Sequence, residues 1–120
     1  MKRYIVLLLF GFYSSVAQTV TTSVDKKTIK IGDQVTLTLQ LNAKKIDQVI
    51  FPELDSLGKW EVVTNHPVKT IRQKNIDQLV KKYTITQFNS GTYTIPSVEI
   101  VYNKQKINTQ KQTIEAVCSN

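Results

Sequence analysis

Between Ile31 and Asn42 the chain runs Ile-Gly-Asp-Gln-Val-Thr-Leu-Thr-Leu-Gln-Leu-Asn, so that Val35, Leu37, Leu39 and Leu41 alternate with Thr36, Thr38 and Gln40. A period of two marks a strand with one face in a core and the other in water. Leu79 to Phe88 repeats the pattern, with Tyr83 and Ile85 on one face and Lys82, Thr84 and Thr86 on the other. Shorter β-branched or aromatic runs fill the rest. Thr19–Val24 and Thr113–Val117 read as edge strands, Gln48–Phe51 as a strand stopped by Pro52, and Glu53–Lys59 as a loop. Trp60–Thr64, Val68–Ile71, Val98–Tyr102 and Lys106–Thr109 read as further strands, with a hairpin tip at Asn103-Lys104-Gln105.

No run carries a helical period, and turn signals recur at short spacing, which predicts an all-β fold: an immunoglobulin-like antiparallel β-sandwich of about seven to nine strands. The core expected from the alternation is Val35, Leu37, Leu39, Trp60, Tyr83, Ile85, Tyr93 and Ile95. Within "SGTYTIP", residues 90–96, Gly91 and Tyr93 stand where such sandwiches carry a tyrosine corner, a phenol bonded back to backbone, and Pro96 ends the short element. Gly91, Tyr93 and Pro96 are therefore read as a structural corner.

The first residues carry an export signal: Lys2 and Arg3, an apolar run from Tyr4 to Tyr13, and the small residues Ser15 and Ala17 before a cleavage point. Residues 1–17 are read as a signal peptide and 18–120 as a single sandwich domain, enough for one core. The apolar run is shorter than the ~20 residues that span a bilayer, and the remainder holds no second such segment. The formal charge of +7 comes mostly from lysines scattered in ones and twos (Lys26-Lys27, Lys44-Lys45, Lys81-Lys82), which read as solvated faces rather than as a nucleic-acid surface. With one cysteine, Cys118, there is no internal disulfide, and an antibody-type cysteine pair is excluded.

The order of these features resembles the BatD (Bacteroides aerotolerance) family. "FPELDSLGKWEVVTNHPV" followed by "KKYTITQFNSGTYTIPSVEIVYNKQKINT" is similar to its N-terminal repeat: a Phe-Pro strand end, an aromatic-x-Val-Val strand, Tyr-x-Ile, Gly-x-Tyr-x-Ile-Pro, and a lysine-bearing hairpin. The chain departs from the family at Ser97, where a second proline is usual, and at Asn103, where glycine is usual. The resemblance implies an immunoglobulin-like module of a longer protein, periplasmic in Bacteroidetes-like bacteria and anchored to the inner membrane by a segment beyond residue 120. It further implies complexes with other membrane-attached Bat-type proteins, and it carries no catalytic residues or cofactors.

Candidate chemistry is sparse. His66, the single histidine, precedes Pro67 in an expected loop without convergent ligands, so no metal site is predicted. Glu53 and Asp55 are close carboxylates, but an acid–base pair needs burial and a fixed separation that a polar loop does not supply. Gly58 is isolated and forms no phosphate loop. Trp60 is read as a core aromatic, with a stacking platform as the alternative. These residues point to a non-catalytic interaction or scaffolding module, neither enzyme nor cofactor carrier; the alternative is an extracytoplasmic carbohydrate-binding sandwich built on Trp60.

Overall fold

A computed structural model describes residues 19–118, so the expected signal peptide lies outside the described residues. Among the described residues twelve strands follow one another: β1 (Thr19–Val24), β2 (Thr28–Lys30), β3 (Gln34–Ala43), β4 (Val49–Ile50), β5 (Ser56–Leu57), β6 (Trp60–Asn65), β7 (Lys69–Arg72), β8 (Asp77–Thr86), β9 (Gly91–Ile95), β10 (Glu99–Tyr102), β11 (Gln105–Asn108) and β12 (Gln112–Val117). The strands that the pattern does not show, β2 and β5, carry too few residues to display alternation.

One layer has the order β1-β3-β8-β6-β5, with β7 continuing the path of β6 along β8. Its spine is the ten-residue antiparallel pairing of β3 with β8, from Gln34↔Thr86 to Ala43↔Asp77. Val35, Leu37, Leu39 and Leu41 stand beside Ile85, Tyr83, Lys81 and Leu79 on the inward face. The opposing layer is built of β2-β12-β9 and β11-β10-β4. Pro96 has no N–H to donate, so the strand path breaks between β9 and β10. Across this break Val98 and Thr109 hold the ladder together: the Thr109 N–H donates to the Val98 carbonyl at 2.9 Å, and the Val98 N–H donates to Thr109 Oγ1 at 2.7 Å.

Residues from both layers fill one core. Val35, Leu37, Leu39, Leu41, Trp60, Tyr83 and Ile85 of the first layer meet Ile29, Ile95, Ile100, Tyr102, Ile114 and Ala116 of the second. Each large aliphatic side chain removed from water contributes about 1.5–3 kcal/mol, so this core carries the stability of a chain without a disulfide. Cys118 is exposed and free.

Three expectations are corrected. Thr113–Val117 is not an edge: β12 lies between β9 and β2, the latter joined to it in parallel (Glu115↔Thr28 to Val117↔Lys30). The three residues of β2, with Ile29 alone buried, are too short to announce a strand. Glu53–Lys59 is not wholly loop, since Ser56 and Leu57 pair with Glu61 and Trp60. Lys81 is not on a solvated face; it is 3% exposed and points into the core side of β8.

Candidate functional site

The corner at residues 90–96 is held by two constraints. Gly91 has φ +142°, a conformation closed to side-chain-bearing residues, and a Cβ there would stand 3.4 Å from the Tyr93 ring. The Tyr93 hydroxyl donates to the Ser90 carbonyl at 3.1 Å, and its ring meets Trp60 edge-to-face, with centroids 6.0 Å apart and planes at 73°. Tyr93 is half-buried, Pro96 likewise, and Trp60 is 1% exposed. The Trp60 ring thus joins the two layers and has no open face for a sugar. Its Nε1 finds no hydrogen-bond partner among the described residues.

Beside this corner the sheet stops short. β12 directs the Glu115 N–H to Lys27 and the Val117 carbonyl to Ile31, so Ile114 and Ala116 direct their backbone groups the other way, to β9. In β9, Tyr93 pairs with Ile114 and Ile95 with Gln112, which leaves the N–H and C=O of Thr92 and Thr94 directed away from the sheet. Among the described residues no strand receives them: β4, which pairs with β10 at Val101 and Tyr102, has only two residues and stops before Pro52. β9 is therefore an open edge.

The β5–β6 turn lies across from that edge. Gly58 takes φ +64°, as the first residue of a two-residue hairpin loop requires, and a Cβ on it would come within 3.1 Å of Pro96 Cδ and 3.8 Å of the Thr94 carbonyl oxygen. Between turn and strand runs a shallow groove of about 340 Å³, lined by Gly58 and Lys59, by Thr92, Tyr93 and Thr94, and by Pro96 and Lys111. The two lysines come from turns 52 positions apart in sequence, and among the described residues no carboxylate lines the groove. Glu115 is the nearest acid in the register, opposite Thr92. Isolated Gly58, with no phosphate role, turns out to be what allows the groove wall to approach Pro96.

The other candidates lie apart from this groove. His66 is half-buried: its N–H donates to the Lys82 carbonyl at 3.0 Å and its Nε2 shares a hydrogen bond with Thr84 Oγ1 at 2.8 Å. Glu53 and Asp55 are exposed. Among the described residues no three His, Cys, Asp or Glu side chains come together as metal ligands.

A polar cluster that sequence reasoning missed sits at the break between β6 and β7. There the Lys81 ammonium donates to the His66 carbonyl, reaches Glu53 Oε2 at 3.4 Å and lies 5.3 Å from the Tyr83 ring centroid. The Tyr83 hydroxyl donates to the Pro52 carbonyl at 2.7 Å. Burial, and secondarily the Glu53 charge, pushes the Tyr83 phenol up to about 12. The signal was the parity of Lys81 with Leu79, Tyr83 and Ile85, which puts it on the inward face. The cluster closes a strand break, with the Lys81 ammonium and the Tyr83 hydroxyl each donating to a backbone carbonyl.

A family model described as the BatD DUF11 like domain matches residues 22–116. Neither a curated protein nor a solved structure matches the chain.

Proposed function

Because the chain belongs to the BatD family, through a domain that spans nearly all its described residues, we propose that it is a non-catalytic, periplasmic interaction module that docks onto other membrane-attached proteins of the Bat type. The observation that carries this reading is the open edge of β9, fixed by the Gly91–Tyr93–Trp60 corner and faced by a groove. A rigid strand edge binds by adding backbone hydrogen bonds, which needs no reactive side chain. The export signal at Lys2-Arg3, Tyr4–Tyr13 and Ser15-Val16-Ala17 supports a location outside the cytoplasm.

Affinity purification of the full-length gene product from its native host in mild detergent, followed by mass spectrometry, tests the reading. Recovery of membrane-attached partners in fixed stoichiometry is the expected result. Purification of the protein alone from membranes that contain those partners would overturn it.

A further inference from the structure

We infer that the β9 edge takes up an extended, acidic segment of a partner protein as an added strand, lying in the groove between Lys59 and Lys111; this rests on the interaction-module reading above. The backbone supplies the first half of the argument. Thr92 and Thr94 each direct an N–H and a C=O outward, two residues apart, and a docked strand meets such groups with alternate residues of its own. A Cβ on Gly58 would stand only 3.8 Å from the Thr94 carbonyl oxygen, so the turn already packs on that group, and the groove leaves the Thr92 N–H and C=O and the Thr94 N–H for a docked strand.

Charge supplies the second half. Lys59 and Lys111 are both exposed and line the groove without a lining carboxylate, so a segment with Glu or Asp at alternate positions gains from both ammonium groups. Glu115 opposite Thr92 repels acid at the other end, which sets the acidic residues toward the Pro96 end. A second copy of this chain is the poorer occupant, since each copy carries a net positive charge of its own.

Other edges are less available. On β1 the Thr22 carbonyl already accepts a hydrogen bond from the Gln112 amide at 3.3 Å, while β4 and β5 are two residues long. β7 carries Lys69 and Arg72, and β11 carries Lys106, charges of the kind that discourage pairing at an edge. On β9 the edge residues Thr92 and Thr94 are uncharged, and the corner that holds them is formed before any partner arrives, so little ordering entropy is lost on docking.

The test uses a fluorescein-labelled acetyl-(Glu-Val)3-amide and its (Lys-Val)3 counterpart, with anisotropy for affinity and amide exchange for location. The acidic peptide should bind, protect the Thr92 and Thr94 amides, and lose about tenfold in affinity in the Lys59→Glu/Lys111→Glu double variant and again at high salt. Thr94→Pro removes an outward N–H without breaking the β9–β12 ladder, so it should abolish binding while the circular dichroism spectrum is kept. No binding by about 1 mM, equal binding of the basic peptide, protection mapping to β1, or self-association through β9 would each overturn the inference. If the inference fails while native partners still co-purify with the Thr94→Pro protein, the interaction-module reading survives; if no partner co-purifies with the unaltered protein, that reading is what fails.

Discussion

Gly91 and Tyr93 show how few residues hold the β9 corner. A side chain at φ +142° is strained wherever it points, so Gly91→Ala should cost about 1–3 kcal/mol in urea unfolding. Tyr93→Phe, which removes only the bond to the Ser90 carbonyl, should cost less, about 1 kcal/mol. An equal cost for both would place the strain elsewhere. Tyr83 makes a pH-dependent prediction. Its folded phenol titrates near 12 against an ordinary 10, so folding favours the protonated form. That contribution is complete below pH 10 and is lost as the pH rises from 10 through 12. Alkaline melts should therefore fall steeply over that window and fall less in Tyr83→Phe, while ultraviolet titration should show Tyr83 and Tyr102 ionising above the ordinary tyrosine range. The tyrosine corner was legible at this scale because Gly-x-Tyr-x-Ile-Pro compresses a turn, a latch and a stop into one stretch. The burial of Lys81 was legible in parity but masked by its charge, since lysine reads as surface until a strand break offers it the His66 carbonyl.

Among the elements, β3 announces itself by ten residues of alternation and β8 by the run around Tyr83 and Ile85, and their pairing puts Leu37, Leu39 and Leu41 opposite Tyr83, Lys81 and Leu79. Leu39→Asp should abolish the cooperative thermal transition by burying an unpaired charge at a site of 0% exposure. A retained native transition would mean a shifted register. β2 and β5 were not legible, since three and two residues cannot display a period. Thr113–Val117 looked like an edge for the same reason: its second neighbour is β2. The β9–β10 break was half legible, in Pro96, but its repair was not, because nothing local says that Thr109 will receive the buried N–H of Val98. Thr109→Val, which keeps the shape and removes the acceptor, should cost about 1–3 kcal/mol by calorimetry or urea melts. A neutral outcome would mean that water reaches Val98.

At the scale of the whole molecule, the two-layer sandwich and its single core follow from the strand pattern, and the family follows from the order of the strand ends. The groove does not. Lys59 and Lys111 are unremarkable turn lysines in sequence, and they meet only because β5–β6 folds back toward the end of β9 while β4 stops after two residues. Trp60 carried the opposite lesson, since its most visible functional reading needed an exposed ring and the fold uses that ring to hold Tyr93 instead. The central claim is that β9 presents an open backbone edge, and amide hydrogen exchange across residues 91–95 of the unliganded protein tests it most directly. The account predicts alternation, with the amides of Tyr93 and Ile95 protected by β12 and those of Thr92 and Thr94 exchanging freely. Uniform protection along the strand would mean that something already covers the edge, and would contradict it.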